Sequence, residues 1–155
     1  MARISAGLLM YRVNSGTLEV FLAHPGGPFF MKKDDGAWTI PKGEPDPGED
    51  LLVAACREFE EETSLKPEPP FVPLKPIVQR GGKIVHAWAF EGDCDPQSVK
   101  SNVFTLEWPP KSGLQKEFPE IDRTDFFEVE QAHIKIRAEQ APLIDQLVTH
   151  LAEPG

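Results

Sequence analysis

Apolar and polar positions alternate along the first stretch of the chain in the manner of strands. Residues 3 to 13 and 18 to 23 are rich in aliphatic and aromatic side chains, and Asn14, Ser15 and Gly16 between them have the composition of a tight turn, so a β-hairpin is expected. The segment HPGGPFFMKKDDG, from His24 to Gly36, breaks the pattern with glycine and proline and reads as a loop. It leads to Trp38, Thr39 and Ile40 and then to a short loop of Pro41, Lys42 and Gly43. From about Glu49 to Thr63 the apolar spacing lengthens to that of a helix, which the prolines at 67, 69 and 70 keep from continuing. Lys83 to Phe90 alternates as a strand, and Val103 to Trp108 follows as another after a loop around Asp93, Cys94 and Asp95. The stretch KEFPEIDRTDFF reads as a later loop, and the chain closes with a helix from about Ala138 to Leu151. Leu143, Leu147 and Leu151 form the stripe of that helix, and Pro142 fits its first turn. Strands, a crossing helix, more strands and a final helix predict an α/β fold: a mixed β-sheet with helices on both faces.

The helix at 49 to 63 carries the most specific chemistry. At about 100° per residue, placing Glu58 at zero puts Glu62 near 40° and Glu61 near −60°. These three carboxylates share one face, while Glu60, near 200°, points away from it. Leu52, Ala55, Cys56, Phe59 and Thr63 fall between about 60° and 160°, an apolar stripe beside the acidic face and not under it. Like charges at i, i+3 and i+4 cost an isolated helix roughly 0.2–0.5 kcal/mol per pair, so the cluster asks for a cation. Arg57 can offset part of that charge and can reach Glu49 in the preceding loop, tying loop to helix. Carboxylate oxygens at this density suit Mg²⁺ or Mn²⁺, and the segment has none of the His and Cys ligand pattern that zinc prefers.

Composition narrows the setting. A chain of 155 residues, 40% of them hydrophobic, is one domain's worth, and residues 1 to 155 are read as a single unit without repeats or linkers. Its 16 prolines and 12 glycines are dispersed and act as turn punctuation. A net charge of −9 argues against extended binding to duplex nucleic acid, although a small polyphosphate remains compatible through metal ions and local lysines. The N-terminal ISAGLLMY is apolar for too few residues to cross a bilayer and reads as a strand. Cys56 and Cys94 lie far apart in sequence, so reduced thiols and a cytoplasmic setting are expected.

Gly43, Glu49, Arg57, Glu58, Glu61 and Glu62 stand at the spacing G-x5-E-x7-R-E-U-x-E-E-x-G-U, which resembles the Nudix box. Every fixed letter matches except the last glycine, where this chain has Ser64 at a place where a left-handed backbone is commonly wanted. The resemblance implies the Nudix α/β/α sandwich and hydrolysis of a pyrophosphate bond in a nucleoside diphosphate linked to another moiety. It implies that Glu58, Glu61 and Glu62 hold the metal, with the backbone carbonyl of Lys42 as a further ligand. The general base is left open between Glu58 and a carboxylate of the KEFPEIDRTDFF stretch, Glu120 first and Glu117 as fallback. A solvated acidic helix and a non-catalytic nucleotide-binding module are the alternatives for the motif, and the intact triad favours the enzyme.

For substrate contacts the candidates are Lys42, Lys32, Lys33, Arg80 and Lys83, with Lys42 foremost because it adjoins the box glycine. Trp38 either stacks on a base or fills the core under its loop, and His24 and His86 are read as structural. The run WTIPKGE, residues 38 to 44, resembles the corresponding loop of Nudix hydrolases of dinucleoside polyphosphates and of diphosphoinositol polyphosphates. A dinucleoside polyphosphate or other nucleoside polyphosphate is the expected substrate. An inositol polyphosphate, or an RNA 5′ end, would want a basic surface, which so acidic a chain does not advertise. A homodimer is compatible with this reading, and no membrane partner is expected.

Overall fold

The computed structural model describes residues 3 to 153. The hairpin forms from β1 (Ile4–Asn14) and β2 (Thr17–Pro25), with Asn14 opposite Thr17. That register leaves Ser15 and Gly16 as a two-residue turn at φ 52° and 82°, the left-handed pair that matches the twist of flanking strands.

On the other side of β1 lies a parallel partner, β6 (Ile84–Glu91), as numbered in chain order. A parallel pair needs a crossover, and α1 (Leu51–Thr63) lies on it. Two-residue strands complete the order: β3 (Lys42–Gly43) on β1, and β4 (Val72–Pro73) and β5 (Ile77–Val78) on β6. Ala6 and Gly7 of β1 pair with β3 rather than with β2. A Cβ on Gly7 would lie 2.6 Å from the Pro41 carbonyl oxygen, so only glycine lets the two backbones come this close.

Period-two alternation sorts the core into two layers. Ala6, Leu8, Met10, Phe21, Phe90 and Phe126 face α1 and meet its Ala54, Ala55 and Phe59. Leu9, Val20, Leu22, Val85, Ala87 and Ala89 face the opposite side, under Leu143, Ile144 and Leu147. The mixed sheet with helices on both faces is the architecture expected from the sequence.

The stretch expected as a late loop is instead two strands, β8 (Gln115–Pro119) and β9 (Ile121–Glu128), followed by α2 (Val129–Lys135). β8 pairs with β7 (Val103–Glu107) in a separate two-stranded sheet, and β9 extends the main sheet beside β2. β9 hid from pattern reading because it is an edge strand whose one buried residue is Phe126. The helix α2 is too short to show a period. The closing helix α3 (Ala141–Ala152) begins later than expected, after a 3₁₀ turn at Ala138–Gln140. Leu143 and Leu147 are buried as expected, but Leu151 is 40% exposed and Ile144 completes the stripe. Among the described residues no helix is long and apolar enough to cross a membrane.

Candidate active site

The site is built at the junction of α1 and β3. Asp50 caps the helix, its Oδ2 accepting from the N–H groups of Leu52 and Val53 at 3.1 and 3.2 Å. The helix therefore starts two residues after Glu49, which is left free to hold Arg57. Arg57 donates from Nε and Nη2 to the two oxygens of Glu49, each at 2.9 Å. Its Nη1 donates to Glu58 at 2.9 Å and to both oxygens of Glu61 at 3.2 Å. One guanidinium thus braces the loop and two of the three acidic side chains.

Ser64 does not displace the helix end. It takes the left-handed conformation itself, at φ 64° and ψ 15°, and its N–H donates to the Glu60 carbonyl at 2.7 Å. Its hydroxyl donates to the Lys100 carbonyl at 2.6 Å, a tether to the loop before β7 that glycine could not make.

The acidic face is turned inward, which corrects the picture of an apolar stripe lying wholly beside it. Ala54 sits on that face and is fully buried. The Glu58 carboxylate fills the place of a Gly43 side chain: a Cβ there would lie 2.1 Å from its Cδ and Oε2. Glu62 accepts from the backbone N–H of Lys42 at 3.1 Å. Glu61 is the most open of the three, with 43% of its side chain exposed, and Glu60 is exposed on the outer side.

Charge crowding shows in the acidities. Burial, then the charges of Glu58 and Glu120, push the Glu62 carboxyl up to about 8. Burial also raises Glu58, against the pull of Arg57, and raises Glu120, with Glu61 adding to the effect. Glu120 therefore stands within electrostatic reach of the α1 carboxylates. It is held between strands and not on a free loop, since its N–H donates to the Asn102 carbonyl at 2.8 Å and its carbonyl accepts from Gly26 at 2.9 Å. Glu49, by contrast, is held down to about 2, chiefly by Arg57. Lys42 is lowered to about 8 by burial and then by Lys83, with Glu62 opposing.

As they stand, no three carboxylates, imidazoles or thiols among the described residues converge on a single metal position. Glu58 and Glu61 are turned onto Arg57 instead. The donor set is nonetheless all oxygen, and burial beside other carboxylates disfavours the ionised form of Glu62, a cost a bound cation would offset. That is the fit a hard divalent ion requires.

The remaining candidates lie elsewhere. Lys33 and Arg80 line a separate cleft, together with Arg137, which sequence reading did not single out. Arg137 reaches that place through a backbone bond from its N–H to the Trp38 carbonyl at 2.7 Å, a long-range contact with no local signal. Trp38 is 4% exposed, its Nε1–H donating to Asp34 and its ring edge-on to His24 and Phe127. His24 is fully buried, donating from Nε2 to the Lys33 carbonyl at 2.6 Å, with Nδ1 facing Asp122 at 2.7 Å. Cys56 and Cys94 are free thiols.

Comparison with known proteins places this geometry. The chain is 41% identical over 64 residues to the Caenorhabditis elegans bis(5′-nucleosyl)-tetraphosphatase (asymmetrical), covering 41% of this chain and 42% of that protein. The chain thus matches less than half the length of that relative. A crystal structure of a C. elegans Ap4A hydrolase binary complex superposes with a TM-score of 0.67 at 27% identity, over 96% of this chain and 98% of that one. The NUDIX domain of Shewanella oneidensis NrtR complexed with ADP ribose superposes at TM-score 0.70 and 14% identity, over 98% and 90%, and shows the shared fold. A family model described as NUDIX domain matches residues 1 to 147, nearly the whole chain including the Gly43 to Leu65 motif, so this chain belongs to the NUDIX family.

Proposed function

We propose that this chain is a divalent-metal-dependent hydrolase of a pyrophosphate bond in a nucleoside polyphosphate, a dinucleoside polyphosphate foremost. The observation that carries the reading is the inward-facing pair Glu58 and Glu62, packed against Gly43 and Lys42, their acidities weakened by burial first and then by neighbouring carboxylates, Glu120 among them. Likeness to an Ap4A hydrolase supports the substrate class.

In this reading Glu58, Glu61 and Glu62 hold the metal, with the Lys42 carbonyl as a further ligand. There Mg²⁺ or Mn²⁺ would supply charge neutralisation for the phosphates and would acidify a water. Arg57, anchored on Glu49, positions Glu58 and Glu61. Glu120 accepts the proton of the attacking water, a role suited to a carboxylate whose acidity is weakened by burial and by Glu61. The Lys42 side chain offers a point charge to a phosphate oxygen. One domain over residues 1 to 155 in a cytoplasmic setting belongs to the same reading.

Turnover of a nucleotide panel with Mg²⁺ or Mn²⁺ tests it, with phosphorus NMR in ¹⁸O-labelled water identifying the broken bond. Release of a nucleoside phosphate, abolished by chelation, is the expected result. An ion-induced rise in melting temperature without turnover of any compound would instead assign a binding module.

Gly43→Ala separates the site from the fold. Gly43 is not in the left-handed region, so alanine is allowed there by the backbone, and the atoms it would strike are the far end of the Glu58 side chain. The carboxylate is displaced while the fold gives way little. A drop of about 100-fold in kcat/KM is expected, the scale of a misplacement near 1 Å, with a melting temperature within a few degrees of wild type.

A further inference from the structure

Lys33, Arg80 and Arg137 come from distant parts of the chain and meet in one cleft of about 620 Å³, with Phe30 and Thr39 in its wall. The carboxylates that share this cleft are already engaged. Asp34 and Asp35 bind Lys135 at 2.7 and 3.0 Å. Glu139 binds Arg137 Nε at 3.1 Å and accepts the Arg80 backbone N–H at 3.0 Å. Among the described residues neither Lys33 nor Arg80 has a carboxylate within ion-pair distance of its charged end.

The backbone that carries these cations is anchored. His24 holds the Lys33 carbonyl, and the Lys33 ammonium lies 5.5 Å from the Phe30 ring centroid. The backbone N–H of Arg137 donates to Trp38 and that of Arg80 to Glu139, which fixes where these side chains start.

Thr39 in the cleft wall is three residues before Lys42, whose N–H binds Glu62. An extended chain covers at most about 11 Å over that interval, so cleft and carboxylate face adjoin. The charge of Arg137 also acts on the Lys42 ammonium.

We propose that this cleft is the subsite for phosphates beyond the bond that is cut, with Arg80 and Lys33 as its free anion contacts and Arg137, paired with Glu139, beside them. The inference rests on the pyrophosphohydrolase reading above and commits it to polyphosphates. Substrates with further phosphates on the far side of the scissile bridge are preferred over nucleoside diphosphates joined to a neutral group. Arginine is suited to this because its planar fork meets two phosphate oxygens at once.

The test uses the full chain with Arg137→Gln, Arg80→Gln and their combination, with Lys33→Gln plus Arg80→Gln as the second set should Arg137→Gln fold poorly. Lys100→Gln, outside the cleft, is the charge-matched control. Steady-state kinetics compare a dinucleoside tetraphosphate with ADP-ribose. Each arginine change is expected to shift the ratio of the two KM values by about tenfold against the tetraphosphate, kcat moving much less, as loss of ground-state contact requires. Calorimetry with inorganic tripolyphosphate, without divalent ions, is expected to show a parallel weakening, while Lys100→Gln moves neither readout. Equal KM changes for both substrates, or unchanged tripolyphosphate binding, would overturn the subsite. A parallel arm with a diphosphoinositol polyphosphate tells a nucleoside carrier from an inositol one, and the same KM dependence on either supports the cleft. If wild type cleaves none of these compounds yet binds tripolyphosphate through the arginines, the hydrolase reading fails and the cleft stands. If it cleaves them and the KM ratio does not move, the cleft fails and the hydrolase reading stands.

Discussion

Replacing Glu62 by glutamine lowers turnover by at least about 100-fold while leaving the melting temperature in ion-free buffer equal to or above that of wild type. The first half follows from transition-state charge: a metal site contributes several kcal/mol, and roughly 3 kcal/mol corresponds to about 100-fold. The second half follows from crowding. Glu62 is packed against β3 beside Glu58 and Glu120, and its carboxyl is pushed up to about 8 because the ionised form is disfavoured there. Glutamine keeps the shape and can still accept the Lys42 N–H through its carbonyl oxygen, but it removes the charge. Mg²⁺ or Mn²⁺ at about 100 times Kd is expected to stabilise wild type by about 2.7 kcal/mol, and this increment shrinks in the variant. Thermal melts with and without the ion, read beside the kinetics, check all three statements. A variant that melts well below wild type in ion-free buffer would show that Glu62 supports the fold.

Arg57→Lys is the second large effect, and it strikes stability and activity together. The guanidinium serves Glu49, Glu58 and Glu61 at once, with bonds of 2.9 to 3.2 Å. A single ammonium cannot hold that fork, and the carboxylates it abandons repel one another. A loss of about 1–2 kcal/mol is expected, with a fall in melting temperature of roughly 2–8 °C and in kcat/KM of about 10- to 100-fold. The pH dependence has a definite sign. Glu49 is held down to about 2 in the folded chain, below its ordinary carboxylate value. Its contribution is therefore present above that ordinary value and is lost as pH falls toward 2. Arg57→Lys removes part of this contribution at neutral pH, so acid unfolding begins at higher pH than in wild type. Circular dichroism across an acid titration measures the displacement.

Legibility tracked the range of the interactions involved. The α1 carboxylates were readable because i, i+3 and i+4 neighbours on a helix share a face whatever the rest of the chain does. The first hairpin was readable because Ser15 and Gly16 sit between two apolar runs. Glu120 could be named only through the family resemblance, and its surroundings were misread, since β9 has a single buried residue and resembles a loop when taken alone. Arg137 carried no signal at all, because it faces its cleft through a bond to Trp38 nearly a hundred residues away. The overall charge of −9 pointed away from a basic pocket, and yet among the described residues Lys33 and Arg80 stand unpaired in a cleft whose carboxylates are engaged with Lys135 and Arg137. A net charge is a sum, whereas recognition depends on where the charges stand.

By itself the sequence determined the helix, its acidic face, the arginine brace and the family pattern, because these depend on spacing within one element. Only the tertiary structure decided that the acidic face points inward at Gly43 and Lys42. It also brought Glu120 within electrostatic reach of that face and set Lys33, Arg80 and Arg137 around one cleft. The physical reason is that β3 pairs with Ala6 and Gly7 of β1 and so brings Gly43 against Glu58, while backbone bonds to Trp38 carry Arg137 to the cleft. Pairings between segments so far apart in the chain are settled by the burial of both sheet faces at once, not by any local pattern.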